Sequence, residues 1–104
     1  MNRELSYQLE LKWTGNTGIG NKTYTSYERS YEINFKNKPL LKCSSDPHFR
    51  GNPNLHNPED LLLSAISSCH MLWYLHLCSE AGIIVMDYVD HAIGIMTELE
   101  NGSG

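Results

Sequence analysis

A single cysteine stands in the middle of the most apolar stretch of this 104-residue chain, the run from Asn57 to Gly82. Cys69 is a nucleophile only when its thiol ionises, and the middle of a helix offers no help from the helix dipole. A cation from elsewhere would have to hold the thiolate, and Arg29 and Arg50 are the candidates. The alternative is a small buried hydrophobe, which is the more common role of a cysteine inside an apolar helix.

Helical geometry decides which side chains can act together with Cys69. At about 100° per residue, Trp73, His76 and Glu80 share its stripe of the helix, whereas Cys78 points to the opposite side. Cys69 and Cys78 therefore cannot form a disulfide within the helix. Cys69 and His76 are two turns apart, about 10 Å along the axis, which is too far for both to bind one metal ion. The sequence predicts no metal site.

The same run has well-defined helix boundaries. Asn57 is a suitable N-cap, Pro58 suits the first helical position, and Glu59 places negative charge in the first turn. Gly82 supplies a left-handed C-terminal cap. We therefore predict a helix over residues 57–82, about 37 Å long. Because it is apolar on nearly every side, one small domain cannot cover it, and a second chain is the natural supplier of the missing cover.

Strand patterns fill the N-terminal half. Apolar and polar residues alternate from Leu5 to Trp13, a second strand is predicted from Tyr24 to Phe35, and a short third strand from Leu40 to Cys43. We predict one α+β domain over residues 1–104, with antiparallel strands packed on the long central helix. Its predicted parts in chain order are N-terminal strands at 4–43, a loop at 44–56, the helix at 57–82 and a final strand at 83–99.

Residues outside the helix are also candidates for a site. Arg29 shares the apolar face of the predicted second strand. Either its stem packs there while the guanidinium reaches solvent, or the guanidinium is held toward a carboxylate or a substrate. Phe49 and Arg50 lie in the long loop, and long loops inside compact domains are often functional. Phe49 and Trp73 would suit the apolar wall of a site, although such residues are more often core.

Composition excludes several function classes. Lys and Arg number 8 against 12 Asp and Glu, for a formal net charge of −4, so nucleic acid is not an expected partner. The N-terminus lacks a secretory signal, and serines and histidines interrupt the apolar run, so we expect no membrane span. The 3 cysteines make no disulfide framework, which favours a reducing, cytoplasmic compartment.

The run NPEDLLLSAISSCHML resembles the OsmC/Ohr family, the osmotically inducible and organic hydroperoxide resistance proteins. In that family an Asn-Pro-Glu helix start is followed, ten residues after the glutamate, by a peroxide-reactive cysteine, and Asn57, Pro58, Glu59 and Cys69 match this spacing. The resemblance implies an OsmC-like fold and a thiol peroxidase of oxidative or osmotic stress defence. Its substrates would be organic hydroperoxides, with hydrogen peroxide as a further candidate. No metal or organic cofactor is implied.

The resemblance also implies roles for individual residues. Cys69 would attack the O–O bond, an arginine would hold the thiolate and polarise the peroxide, and Glu59 would orient that arginine. The family's arginine usually lies in the glycine-containing loop after the first strand. Here that loop, GNTGIG, contains none, and Arg29 is the substitute. The residues expected to line the substrate site are Phe49, Arg50 and Trp73.

Glu59 and Cys69 are about 15 Å apart along a straight helix, so they cannot touch directly. Glu59 can reach the thiol site only if the helix is broken, through the long arginine, or from a partner chain. The family forms intertwined homodimers with active sites at the subunit interface, and the resemblance implies the same here. That agrees with the separate argument that one chain cannot cover this helix.

The family also carries a resolving cysteine in a later helix, and this chain ends before such a segment. Cys78 faces away from Cys69, and Cys43 lies on a strand. Either the chain is a fragment of a longer protein, or an external thiol or dithiol reduces the sulfenic acid. The alternative function is a non-catalytic dimeric or ligand-binding module of the same fold, in which Cys69 is structural.

Overall fold

The computed structural model describes residues 2–101, so Met1 and residues 102–104 of the predicted domain lie outside the described residues. The chain divides into two compact units, Met1–Pro58 and Glu59–Gly104. The elements in chain order are β1 Glu10–Trp13, β2 Tyr31–Asn34, β3 Leu41–Cys43, a 3-10 helix Pro47–Phe49 and α1 Pro58–Glu80. The predicted α+β class is confirmed, and a single domain stays a prediction.

β2 is the middle strand of an antiparallel sheet with the order β1-β2-β3. Directly opposed residues of neighbouring strands point to the same face of a sheet. The observed register therefore groups the apolar side chains on one face: Leu11, Trp13, Tyr31, Ile33, Leu41 and Cys43. The other face carries Glu10, Lys12, Glu32, Asn34 and Lys42. Ile33 and Cys43 are buried, which identifies the apolar face as the core side of the sheet.

The first two strands are shorter than predicted. β1 covers only the last four residues of the predicted strand Leu5–Trp13, and all four are exposed rather than half-buried. The predicted strand Tyr24–Phe35 begins only at Tyr31, because residues 14–30 form a loop with hydrogen bonds of its own. Arg29 therefore precedes the strand and does not share its alternating face.

The predicted loop 44–56 is held by its own hydrogen bonds. The Asp46 carboxylate accepts from the His48 N–H at 2.7 Å and caps the 3-10 helix. At its far end the loop returns to β3, where the Ser44 N–H donates to the His56 carbonyl at 2.9 Å. The loop therefore presents its side chains from a hydrogen-bonded backbone.

α1 is unbroken and ends within two residues of its predicted C-terminal boundary. Gly82 has the expected left-handed backbone, with φ at 73°. The Gly82 N–H donates to the Ser79 carbonyl at 3.2 Å, and the Ile83 N–H donates to the Cys78 carbonyl at 2.8 Å. These two bonds are those of a Schellman motif, which satisfies carbonyls that the last helical turn leaves open.

Replacing Gly82 with alanine is expected to lower the free energy of unfolding by about 1 kcal/mol. The space around Gly82 is open, so the cost comes from the left-handed backbone alone. Gly94→Ala is the matched control, because its new Cβ would lie at an ordinary 3.7 Å from Leu63 Cδ1. Urea denaturation of both variants measures the difference. An equal loss in the two variants would contradict this account of the helix cap.

The C-terminal segment forms no ladder within the described residues, so the strand predicted at 83–99 has no partner strand there. The segment runs back along α1 instead. The ring of Tyr88 lies 5.9 Å from that of Tyr74. Further on, the Ser67 hydroxyl donates to Asp90 Oδ2 at 2.6 Å. A strand in this segment stays a prediction.

α1 is far more exposed than the core helix that was predicted. Cys78 is its only buried residue. Leu62, Ile66, Leu72 and Trp73 are each more than 60% exposed. By length and composition alone, the helix could cross a membrane, a test that the core helix of a soluble protein also passes. The single chain therefore does not supply the burial that the sequence predicts for this helix.

Candidate active site

Cys69 lies at the midpoint of α1, eleven residues after Pro58 and eleven before Glu80, and it is exposed. Its side chain lines an open groove of about 520 Å³. The groove belongs to one helix face, because its residues are spaced by three and four positions. They are Ala65, Ser68, Cys69, Leu72, Trp73 and His76. The thiol is therefore open to a small molecule and has mostly apolar neighbours.

One wall of this groove is built from stacked side chains. The imidazole of His76 lies over the indole of Trp73, with ring centroids 5.2 Å apart and planes 17° from parallel. His76 Nε2 is 3.4 Å from Glu80 Oε1. The three residues follow each other at spacings of three and four along the helix, which places them on the Cys69 face. Trp73 thus shares the helix face of the thiol, as its spacing predicts, and its contact with a substrate stays a prediction.

The opposite side of α1 holds the second cysteine of the helix. Cys78 is buried, and its thiol is hydrogen-bonded to the hydroxyl of Tyr74. That hydrogen bond is the main reason why the pKa of Tyr74 is raised, and the charge of the Cys78 thiolate, burial and the nearby Tyr88 act in the same direction. Cys78 therefore points away from Cys69 and has a structural environment, as expected from the helical spacing.

The three cysteines are all free, and they differ in exposure. Cys43 is buried in the first unit, and Cys78 is buried on the side of α1 opposite Cys69. Cys69 is exposed. Since a reactive thiol has to meet its substrate, Cys69 is the cysteine that suits this role.

Arg29 lies in the first unit, between two aromatic rings. Its guanidinium carbon is 4.4 Å from the ring centroid of Tyr24 and 3.8 Å from that of Tyr27. Nη1 donates to the Tyr27 carbonyl at 2.6 Å, and Nη2 donates to the Tyr24 carbonyl at 2.7 Å. Cation–π contacts and charged hydrogen bonds thus stabilise this loop. Arg29 therefore engages backbone carbonyls and aromatic rings in this structure, and its role at the thiol stays a prediction.

Phe49 and Arg50 lie at the end of the 3-10 helix in the first unit. The ring of Phe49 meets His48 edge-on, with centroids 4.9 Å apart. Arg50 has a left-handed backbone with φ at 66°, and its N–H donates to the Pro47 carbonyl at 3.0 Å. Such a backbone is uncommon in a residue other than glycine, and it occurs often at functional sites. Contact of these two residues with a substrate stays a prediction.

Glu59 lies in the first turn of α1, and the helix between it and Cys69 is unbroken. Ten residues separate them, which corresponds to about 15 Å along the axis. A break in the helix is therefore excluded as the way in which Glu59 could reach the thiol. The two other predicted routes remain: an arginine that bridges Glu59 and the thiol, or Glu59 of a partner chain.

The positive charge that a thiolate needs is distributed very unevenly along the chain. Residues 59–104 contain no lysine or arginine, and all 8 lie in residues 1–58. A guanidinium that residues 1–104 supply to Cys69 therefore comes from their N-terminal half, either of this chain or of a second copy.

His76 lines the groove but was not among the site residues predicted from the sequence. The helical stripe placed it on the Cys69 face, but its stack on Trp73 is visible only in the structure. The sequence signal that could have identified it is the spacing of Trp73, His76 and Glu80, which lie three and then four residues apart on one helix face. Within residues 2–101, no group of three His, Cys, Asp or Glu side chains is placed to hold a metal ion.

Neither a family profile nor a curated protein matches this chain. Among solved structures, the chain is similar to an OsmC-like protein of unknown function from Vibrio cholerae O1 biovar eltor. The TM-score is 0.78 and the sequence identity 25%. The match covers 95% of this chain and 66% of the Vibrio protein, so the chain spans just under two thirds of that protein's length. The likeness confirms the resemblance that the helix motif predicted.

Proposed function

We propose that this chain, whose fold is similar to that of an OsmC-like protein, is a cysteine-based peroxidase that reduces organic hydroperoxides. The observation that carries the proposal is the exposed Cys69 thiol in the middle of an apolar groove. A structural cysteine is expected to be buried, as Cys43 and Cys78 are. The groove offers the thiol to a small molecule and offers apolar surface to that molecule's organic group.

In the proposed reaction, the Cys69 thiolate attacks the terminal oxygen of the hydroperoxide. The S–O bond forms while the O–O bond breaks, and the departing alkoxide takes a proton and leaves as the alcohol. The sulfur, now oxidised by two electrons, is a sulfenic acid. Leu72 and Trp73 would contact the organic group of the peroxide. Hydrogen peroxide would follow the same course and release water.

An external thiol or dithiol is the proposed reductant, because Cys43 and Cys78 are buried. The first thiol condenses with the sulfenic acid, which forms a mixed disulfide and releases water. A second thiolate then attacks that disulfide and returns Cys69 to its reduced form. This cycle requires a reducing compartment, and we propose the cytoplasm.

The thiolate also requires a cation, for which Arg29 is the first candidate. To serve Cys69, Arg29 would have to exchange its bonds to the Tyr24 and Tyr27 carbonyls for bonds to the thiolate and the peroxide. Arg50 is the alternative donor. In either case, the proposed role of Glu59 is to accept a bidentate pair of hydrogen bonds from that arginine.

A second copy of this chain is the proposed partner. The chain exposes 9210 Å², whereas a folded monomer of this mass exposes about 5,900 Å². The difference is several times the roughly 800 Å² that each partner buries in a standard interface. Apolar side chains of α1 such as Ile66 and Leu77 contribute to it, at 61% and 47% exposure. Covering this surface would provide the burial that the helix lacks.

The charges of the two halves support the same partner. Residues 1–58 carry 8 Lys and Arg against five Asp and Glu, whereas residues 59–104 carry seven Asp and Glu and no Lys or Arg. The first half of one copy therefore attracts the second half of another, which favours an intertwined homodimer. Such a dimer would also bring the arginines of one copy to the Cys69 of its partner.

The proposal is tested by following the loss of cumene hydroperoxide in the presence of dithiothreitol. We expect repeated turnover, with oxidation of the dithiol in proportion to the alcohol formed. A non-catalytic module would leave both the peroxide and the dithiol unchanged above the rate without protein. Under that second outcome, Cys69 is structural and the alternative function holds.

A further inference from the structure

Trp73 lies one helical turn beyond Cys69, about 6 Å along the axis. Its side chain is 61% exposed, so packing against the rest of the chain does not fix the indole. The stacked imidazole of His76 limits its rotation, and Glu80 in turn holds that imidazole. The three side chains form one row, and two of them, Trp73 and His76, line the groove.

We propose that His76 and Glu80 are positioning residues that set substrate specificity. They hold the Trp73 indole as a flat wall for the aromatic or branched organic group of a hydroperoxide that reacts at Cys69. This inference rests on the proposed peroxidase function. A wall that is fixed before binding saves the entropy that a mobile side chain would lose on contact with the ligand. Hydrogen peroxide has no organic group and gains nothing from the wall.

Glu80 contributes because it engages the polar edge of His76. An imidazole has two ring nitrogens that seek hydrogen-bond partners. With Nε2 directed along the helix to Glu80, the ring presents its face to Trp73 and leaves an aromatic surface toward the groove. The side chains of His76 and Glu80 are 52% and 70% exposed in the single chain, so they contact each other rather than packing into a core of that chain.

A kinetic comparison tests the role of His76. His76→Leu removes both the stack and the contact with Glu80, and we expect it to raise the KM for cumene hydroperoxide roughly fivefold with a smaller effect on kcat. His76→Phe keeps an aromatic ring on the indole, so its KM should lie close to that of the parent protein. His70→Leu is the matched control, because His70 is exposed on the same helix but outside the groove. An equal KM in His76→Leu and His70→Leu would overturn the proposal.

A binding experiment separates this inference from the peroxidase reaction. Cys69→Ser removes the reactive thiol, and Trp13→Phe leaves Trp73 as the single tryptophan. The probe is 2-phenyl-2-propanol, the alcohol formed from cumene hydroperoxide, whose binding is followed by Trp73 fluorescence. We expect His76→Leu in this background to weaken binding by roughly the same factor of five. Unchanged affinity, or no response of Trp73 to the alcohol, would overturn the proposal.

The two experiments fail in different ways. If the alcohol binds at Trp73 and binding depends on His76, but no peroxide is consumed, the groove is a ligand site and the peroxidase function is wrong. If peroxide is consumed and neither KM nor binding depends on His76, the peroxidase function stands and the positioning role is wrong.

Discussion

Cys69→Ser is expected to abolish hydroperoxide consumption, with a loss of at least three orders of magnitude in kcat/KM. A hydroxyl cannot replace the thiol, because it ionises far above neutral pH and does not form the sulfenic acid of the proposed cycle. Peroxide loss under dithiothreitol measures the effect, and circular dichroism shows whether the variant is folded.

Cys78→Ala is the control for that experiment. Cys78 belongs to the same helix but is buried on its opposite side, with Tyr74 as its hydrogen-bond partner. We expect the variant to keep its turnover and to lose about 1–2 kcal/mol of stability through the missing contacts. Loss of turnover in a folded Cys78→Ala, together with retained turnover in Cys69→Ser, would move the reactive thiol to Cys78.

Ile66→Lys is expected to turn the proposed dimer into a monomer. Ile66 lies beside the groove and is 61% exposed in the single chain. If a second copy covers it, a lysine there buries an unpaired charge, and the dimer dissociation constant should rise by at least about a hundredfold. Analytical ultracentrifugation over a dilution series measures this constant.

Asn34→Lys is the control for the assembly experiment, because Asn34 is exposed on the polar face of the sheet. It adds the same charge and should leave the dimer intact. A parent chain that sediments as a monomer at every concentration would show that the dimer proposal is wrong. Equal dissociation in the two lysine variants would point to a general charge effect rather than to the α1 surface.

The helix was predictable because its boundaries are local. A proline, acidic residues in the first turn and a glycine at the end act within a few positions of themselves, and the observed helix follows them. The motif with Cys69 ten residues after Glu59 lies inside this element, so the OsmC-like fold could also be predicted from it.

The strands were predicted too long because alternation is a necessary but not a sufficient condition for a ladder. Leu5, Tyr7 and Leu9 alternate as well as the residues of β1 do, yet β1 begins only at Glu10. Pairing depends on residues far away in sequence, and here it ends where β2 ends. The same dependence on distant residues applies to the segment 83–99. It runs along α1 and has no partner strand among the described residues.

The position of Arg29 shows the limit of reasoning by periodicity. An unbroken strand would place it with the apolar face of β2, but the loop before Tyr31 turns its guanidinium to Tyr24 and Tyr27. The stacking of His76 on Trp73 could not be predicted either, because helical spacing determines the face on which a residue lies but not its side-chain torsion angles.

Trapping of a sulfenic acid tests the central claim most directly. The folded, reduced protein is treated with one equivalent of cumene hydroperoxide and then with dimedone, and the modified peptide is identified by mass spectrometry. The account predicts one dimedone adduct on Cys69 and none on Cys43 or Cys78. A folded protein in which Cys69 stays unmodified while the hydroperoxide persists would contradict it.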